Sequence, residues 1–184
     1  MKVPFLDLAA QQAEIVDEVM PVWQRQLASA GFIGGREVDA FEREYADYIG
    51  VDHVIGVSNG TDALELAYRA AGVRAGDEVI MPANTFIATA EAASRIGAIP
   101  VFVDVDDEYL LMDPEAVEAA ITERTRAIVP VHLYGQTAPV ERIAPIAQRH
   151  GVSVIEDAAQ AQGASSDAGR AEIIQILQKS IDDM

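Results

Sequence analysis

From residue 51 onward, short apolar runs alternate with longer amphipathic stretches. The runs are four or five residues long and rich in β-branched side chains, which is typical of strands buried on both faces of a sheet. The stretches between them carry apolar residues at helical spacing. The pattern predicts strands at residues 53–57, 78–81, 100–103, 127–131 and 152–155, and helices at 62–71, 86–96, from 113, and at 139–150.

This alternation of strand and helix with short connections predicts an α/β fold, a largely parallel sheet with flanking helices and right-handed crossovers. Parallel strands place all their carboxyl ends at one edge of the sheet, where open α/β sheets bind ligands. Polar residues, glycines and one aromatic residue follow the predicted strands and should converge on that edge: Ser58–Thr61, Asn84–Phe86, Asp104, His132–Gly135 and Asp157–Gln160.

The two ends of the chain follow a different pattern. Residues 1–50 predict a helical segment, with one helix at 11–27 that Pro21 should kink or restart, and a second that ends at Gly50. Residues 51–164 hold the predicted sheet. Residues 165–184 form a tail in which Ile173, Ile174, Leu177 and Ile181 make a stripe at helical spacing, which predicts an amphipathic helix.

Composition narrows the class of protein. Half of the 184 residues are hydrophobic, enough for one domain with a core, and the net charge is −17. That charge argues against binding to nucleic acid or to an anionic membrane surface. The chain has no cysteine, and neither a signal peptide nor a membrane span is predicted, so a cytoplasmic location is expected.

Several polar groups have a structural and a functional interpretation. Ser58–Thr61 leads from a strand into a helix, so it is either an ordinary helix cap or a phosphate site built from free backbone amides. Phe86 would stack on a flat ring or pack in the core. Asp157 caps a turn, or it holds one heterocycle together with Gln160. His132 is interpreted as structural.

The spacing of the acidic residues and histidines does not indicate a metal site. The cluster at Asp104, Asp106, Asp107 and Glu108 lacks the glycine and the spacing of a calcium loop, and is interpreted as a solvated turn. The three histidines of the chain have no metal-ligand spacing.

A set of motifs, taken in order, resembles the DegT/DnrJ/EryC1/StrS family of pyridoxal-phosphate-dependent sugar aminotransferases. The resemblance runs from about residue 3 to Ala164. It implies the N-terminal part of the large domain of an aspartate-aminotransferase-like, fold type I enzyme. The matching segments are Val3–Leu8, Phe41–Glu42, Ser58–Leu64, Gly76–Ile80, Asn84–Thr89, Pro100–Val105, Val131–Gln136 and Ile155–Ala161.

The same resemblance implies roles around the cofactor, pyridoxal 5'-phosphate. Gly60, Thr61 and Asp62 would hold its phosphate, largely through backbone amides and the threonine hydroxyl. Phe86 would stack on the pyridine ring.

Two further roles follow at the end of the last predicted strand. Gln160 would contact the phenolic oxygen of the ring. Asp157 would pair with the ring nitrogen and is the implied catalytic residue, since a carboxylate there keeps the nitrogen protonated and lets the ring accept electrons.

The family's usual reaction moves an amino group, typically from glutamate, to a keto group on a nucleotide-linked sugar, and its members form homodimers. Its Schiff-base lysine would follow Ala164, but the only lysines here are Lys2 and Lys179, and neither matches that position. We therefore expect a truncated aminotransferase that is inactive alone. The alternatives are an enzyme completed by a second polypeptide and a non-enzymatic binding or regulatory module. A generic dinucleotide-binding domain fits less well, because the Gly-x-Gly-x-x-Gly fingerprint is missing.

Overall fold

A computed structural model describes residues 7–166, 169–170 and 174–177. The chain divides into two compact units, Met1–Tyr45 and Ala46–Met184. In the first unit, Asp7 caps helix α1 (Leu8–Ser29) by accepting the Ala10 amide, and Pro21 lies inside that helix without ending it. No described helix is both long enough and apolar enough to cross a membrane.

Strands and helices alternate along the second unit, as the sequence predicts. Helix α2 begins in the first unit and ends in the second. The elements are α2 (Arg36–Ile49), α3 (Gly60–Ala70), β1 (Glu78–Pro82), α4 (Ile87–Arg95), β2 (Ile99–Val103), α5 (Pro114–Ala120), β3 (Thr125–Ile128), α6 (Val140–His150), β4 (Ser153–Asp157), β5 (Ser165–Ser166), β6 (Gly169–Arg170) and β7 (Ile174–Leu177). A single 3-10 turn, Leu133–Gly135, precedes α6.

Strands β1 to β4 form one parallel sheet, which confirms the predicted fold class. The strand order is β2-β1-β3-β4-β7, and β7 runs antiparallel to β4. The short strands β5 and β6 make a separate antiparallel pair. The chain passes from β1 outward to β2 and then returns to place β3 on the other side of β1, so the direction in which strands are added reverses between β2 and β3. The carboxyl ends of β1, β3 and β4 therefore lie side by side at the centre of the sheet.

Two apolar layers cover the sheet, one on each face. Because side chains alternate along a strand, Val79 and Met81 pack on one face while Ile80 packs on the other. The first layer includes Tyr68 of α3 and Ala92 of α4. The second layer includes Val117 of α5, Ile143 of α6 and Val154 of β4. The double coverage explains why residues 79–82 of β1 are all apolar.

The prediction of a strand at residues 53–57 is wrong, because the structure assigns no strand between residues 51 and 59. His53 and Ile55 are exposed there. A strand is defined by ladder pairing with a neighbouring strand, and the sheet order β2-β1-β3-β4-β7 does not include these residues. An apolar run of β-branched residues is therefore not sufficient for a strand.

The prediction of a helix in the tail is also wrong where the tail is described. Residues Ile174–Leu177 form β7, paired with β4 from Val154 to Asp157. The pairing satisfies the backbone groups along the edge of β4, and this outweighs a helical stripe of four residues. Ile173, Ile181 and both lysines lie outside the described residues.

Candidate functional site

A cavity of about 330 Å³ lies at the carboxyl ends of β3 and β4, against the first turns of α3 and α4. Its volume falls within the range of small-molecule sites. Five of the six predicted cofactor residues line it, together with side chains from α3, α4 and the loop after β3. The lining residues are Gly60, Thr61, Leu64, Thr85, Phe86, Ala88, Thr89, Val131, Leu133, Asp157, Ala159 and Gln160.

Asp157 is the buried acid of this cavity, with 6% of its surface exposed. Its backbone completes the sheet edge, donating to Pro130 and accepting from His132. Its Oδ2 accepts a hydrogen bond from the Thr89 hydroxyl at 3.0 Å, and its Oδ1 accepts one from the Ala159 amide at 3.2 Å. Burial raises the pKa of Asp157, and these two donors partly oppose that rise.

The loop after β3 is held against β4 by a buried histidine. His132 Nδ1 accepts the Ala138 amide at 2.8 Å, and Nε2 lies 2.8 Å from Glu156 Oε2. Since Nδ1 is an acceptor, the ring proton is on Nε2 and is donated to the carboxylate. This arrangement agrees with the structural interpretation of His132, and it fixes the loop that carries Tyr134.

Gln160 is tied to the same loop, because its Oε1 accepts the amide of Tyr134 at 3.2 Å. Tyr134 has a φ of 58°, an unusual conformation for a residue other than glycine. The side-chain amide of Gln160 is therefore oriented at the rim of the cavity.

The start of α3 offers two backbone donors to the cavity. Asn59 caps the helix by accepting the Asp62 amide at 2.9 Å, and its carbonyl accepts the amide of Ala63. Within the described part of the chain, neither Gly60 nor Thr61 donates its amide to another residue. A Cβ added at Gly60 would meet nothing within 4 Å, so the approach to these amides is open. The segment is therefore a helix cap that also leaves two amides free, and its role as a phosphate site stays a prediction.

Asp62 is the one predicted site residue that does not line the cavity. Its carboxylate accepts hydrogen bonds from Ser58, from Asn59 and from Arg95, the last at 2.9 Å. The hydrogen bond from Ser58 and then the one from Arg95 lower its pKa. Because its amide is bonded to the cap and its carboxylate to these side chains, Asp62 organises the turn rather than facing the cavity.

Phe86 does not pack in the core. It is the N-cap residue of α4, and 70% of its surface is exposed although its ring lines the cavity. A core phenylalanine would be covered by other side chains. Its ring is therefore available to a planar ligand.

A larger depression of about 1200 Å³ lies over the loop after β2, where Asp106, Asp107, Glu108 and Asp113 line it. None of the buried polar side chains in the described chain lines that depression. The Asp106 carboxylate is used by the backbone amides of Glu108, Tyr109 and Leu111, which lower its pKa. These contacts favour the solvated-turn interpretation.

Sequence reasoning gave no individual role to Thr85, Thr89 or Ala159, although Thr85 and Ala159 lie in segments expected at this edge of the sheet. Thr89 is the most consequential of them, because it is the side-chain partner of Asp157. A weak signal exists, since Thr85 and Thr89 are four residues apart and face the same side of a helix start.

Comparison with known proteins identifies the family. The profile of the DegT/DnrJ/EryC1/StrS aminotransferase family matches residues 13–173. The chain belongs to this family. The match extends nine residues past Ala164, so the family-like part is longer than the sequence motifs indicate. Members of the family use pyridoxal phosphate.

Two relatives and one solved structure illustrate the likeness. A protein of Geobacillus stearothermophilus named pleiotropic regulatory protein is 53% identical over 164 residues, 89% of this chain and 44% of the relative. The UDP-N-acetyl-3-dehydro-alpha-D-glucosamine 3-aminotransferase of Acidithiobacillus ferrooxidans is 52% identical over 162 residues, 88% of this chain and 44% of the relative. The crystal structure of Streptomyces venezuelae DesV with a ketimine intermediate aligns at a TM-score of 0.88 and 46% identity, over 92% of this chain and 46% of that one. The chain thus spans slightly less than half the length of the proteins it matches.

Proposed function

We propose that this chain forms the pyridine- and phosphate-binding part of a pyridoxal-phosphate-dependent aminotransferase acting on a nucleotide-linked keto sugar. The observation that carries the proposal is Asp157, a buried carboxylate that lines a ligand-sized cavity. The Acidithiobacillus relative is named as an aminotransferase of a UDP-linked sugar, which supports a nucleotide-linked sugar as the substrate class, and glutamate is the proposed amino donor.

The residues present fit the cofactor. A carboxylate buried at one end of the cavity matches a protonated ring nitrogen, and two free amides at the start of α3 match a phosphate. When bound, pyridoxal phosphate supplies an electron-accepting ring that stabilises a substrate carbanion. Asp157 would hold the proton on the ring nitrogen, Phe86 would cover one ring face, and Gln160 would contact the phenolic oxygen.

The two lysines of the chain, Lys2 and Lys179, both lie outside residues 7–166. We therefore propose that residues 7–166 bind the cofactor without a covalent bond and do not transfer an amino group by themselves. Lysine normally anchors this cofactor and moves the proton during transfer, so activity would need a lysine from elsewhere.

The test uses pyridoxamine 5'-phosphate, the amine form of the cofactor, which needs no lysine. We expect the chain to bind it, measured by calorimetry, and Asp157→Asn to weaken binding about tenfold or more, because a charge-assisted hydrogen bond is lost. Asp104→Asn is the matched control, since Asp104 is an exposed carboxylate directly after β2 and does not line the cavity. Equal binding by wild type and Asp157→Asn would remove the proposed role of Asp157.

A second experiment tests the absence of covalent chemistry. The chain is mixed with pyridoxal phosphate and reduced with borohydride, and the adducts are mapped by mass spectrometry. We expect no stable adduct within residues 7–166. An adduct at Lys179 together with turnover of a keto sugar would contradict the proposal that the chain does not transfer an amino group alone.

A further inference from the structure

We propose that Thr89 is a positioning residue that orients the Asp157 carboxylate and holds it in its charged form for the ring nitrogen. The inference rests on the proposed function, because Thr89 acts only by orienting Asp157, which is proposed to pair with the ring nitrogen. Thr89 itself would not contact the reacting atoms.

The geometry around Thr89 is fixed from several sides. The residue lies in the first turn of α4, and 1% of its surface is exposed. Its amide donates to the carbonyl of Phe86, and its own carbonyl accepts the Tyr68 hydroxyl at 3.0 Å. With its backbone held by α3 and by the helix turn, its hydroxyl has a defined direction toward Asp157.

The direction of each hydrogen bond follows from the charged carboxylate. Asp157 in its ionised form only accepts, so the Thr89 hydroxyl donates to Oδ2 at 3.0 Å. The Thr85 hydroxyl lies 2.9 Å from the Thr89 hydroxyl and must then be the donor of that pair. The chain of donors runs from Thr85 to Thr89 to Asp157, and each bond polarises the next.

No cationic side chain of the described residues forms an ion pair with Asp157. The titratable groups around it are Tyr68 on α3, His132 on the loop after β3, and Glu156 next to it on β4, which is bonded to His132. Burial and the charge of Asp157 raise the pKa of Tyr68, so Tyr68 stays a neutral phenol. The charged form of Asp157 thus depends mainly on the Ala159 amide and on the Thr89 hydroxyl.

An alternative is that Thr89 is merely a buried threonine that fills space. The valine side chain has nearly the same shape but no hydroxyl, so Thr89→Val keeps the packing and removes the donor. Thr89→Ser keeps the donor and removes a methyl group. A space-filling role predicts that serine is the worse replacement, whereas a positioning role predicts that valine is.

The first experiment follows the titration of the Asp157 carboxyl carbon by NMR without cofactor, with the resonance assigned through Asp157→Asn. We expect its midpoint to move to higher pH in Thr89→Val and to return close to the wild-type position in Thr89→Ser. Thr125→Val is the matched control, because Thr125 is a buried threonine with a side-chain hydrogen bond outside the cavity. An unchanged midpoint in folded Thr89→Val would overturn the proposal.

The second experiment measures pyridoxamine 5'-phosphate affinity across pH. We expect Thr89→Val to bind about tenfold more weakly at neutral pH, and Thr89→Ser to bind nearly as wild type does. If Thr89→Val does not fold, Thr85→Val replaces it, with a smaller shift of the midpoint in the same direction, and no shift there would count against the donor chain. If Asp157→Asn binds as wild type does, the proposed function fails, while the cofactor-free titration still decides the role of Thr89.

Discussion

Asp157 is both buried and charged. It is the residue that identifies the cavity as a candidate site, and its charged form destabilises the folded state. Burial raises its pKa above the ordinary value of 3.8. A raised pKa means that the folded state binds the proton more tightly than the unfolded chain does. Protonation of Asp157 therefore stabilises the folded state. This stabilisation is fully present below pH 3.8 and is lost as the pH rises through the folded-state pKa of Asp157.

Replacing Asp157 with asparagine should stabilise the cofactor-free protein at pH 7. Asparagine has the same shape, carries no charge, and can still accept from the Ala159 amide. We expect the melting temperature to rise by roughly a few degrees at pH 7 and the difference from wild type to shrink as the pH falls toward 4. Thermal melts from pH 4 to 8 check this, with Asp104→Asn as the exposed control. A lower melting temperature for Asp157→Asn at pH 7 would contradict it.

His132 should be a stability determinant even though it contacts no ligand in the proposal. Replacing it with glutamine breaks at least one of its two buried hydrogen bonds and leaves the Glu156 carboxylate poorly paired. We expect the free energy of unfolding to fall by about 2 to 4 kcal/mol, measured by urea denaturation. The same change at exposed His53 should cost less than about 0.5 kcal/mol. Equal effects at the two histidines would show that the buried pair adds nothing.

The turn between α4 and β2 needs a glycine for two reasons. Gly97 has a φ of +79°, and a Cβ there would lie 2.9 Å from the Ala75 Cβ and 3.4 Å from the Ala75 Cα. Gly76 has a similar φ of +87°, but its Cβ would meet nothing within 4 Å. Gly76 lies in the turn between α3 and β1, and its amide donates to the Gly97 carbonyl. Comparing the two glycines therefore separates backbone strain from steric overlap in two neighbouring turns.

Alanine at Gly97 should therefore destabilise the protein more than alanine at Gly76. Both changes place a side chain at positive φ, at about 1 to 2 kcal/mol, and only Gly97→Ala adds overlap with the Cβ of Ala75, at about 1 to 3 kcal/mol. Urea denaturation of the two variants measures the difference. If the two lose equal stability, the contact with Ala75 relaxes freely and the second reason is wrong.

Elements that need only their own sequence were predictable, and elements that need a distant partner were not. β1 and β4 are apolar runs that the layers of helices bury, and α5 begins where Asp113 and Pro114 indicate. Residues 53–57 have the same character but are not assigned as a strand. The tail segment Ile174–Leu177 became a strand because β4 offered an edge.

The same distinction holds for the site. The convergence of Phe86, Asp157 and Gln160 follows from parallel strands, which place their carboxyl ends together. Thr89 was missed because its partner is 68 residues away in sequence, and a threonine near a helix start has many ordinary uses. The roles of Asp62 and Gly60 differ for a geometric reason. The Asn59 cap accepts the Asp62 amide, whereas the Gly60 amide stays available to a ligand.

At the scale of the whole molecule, acidic residues outnumber basic ones by 30 to 13. Like charges repel in the compact state, and salt screens that repulsion over about 10 Å at 0.1 M. We expect the melting temperature to rise between about 10 mM and 300 mM sodium chloride, by roughly a few degrees. Differential scanning calorimetry at constant pH measures this rise. A fall would mean that the attractive pairs, such as Arg95 with Asp62, outweigh the net charge.

The cavity joins residues from Gly60 to Gln160, and Asp157 enters it only when β4 has paired with β3. During synthesis the amides at the start of α3 leave the ribosome long before the carboxylate that completes the site. Cofactor capture would therefore be a late event, possible only after about a hundred further residues have emerged and the parallel pairing has closed. Binding of pyridoxamine 5'-phosphate to stalled nascent chains of increasing length would then begin abruptly, at the length that frees Gln160 from the ribosomal tunnel.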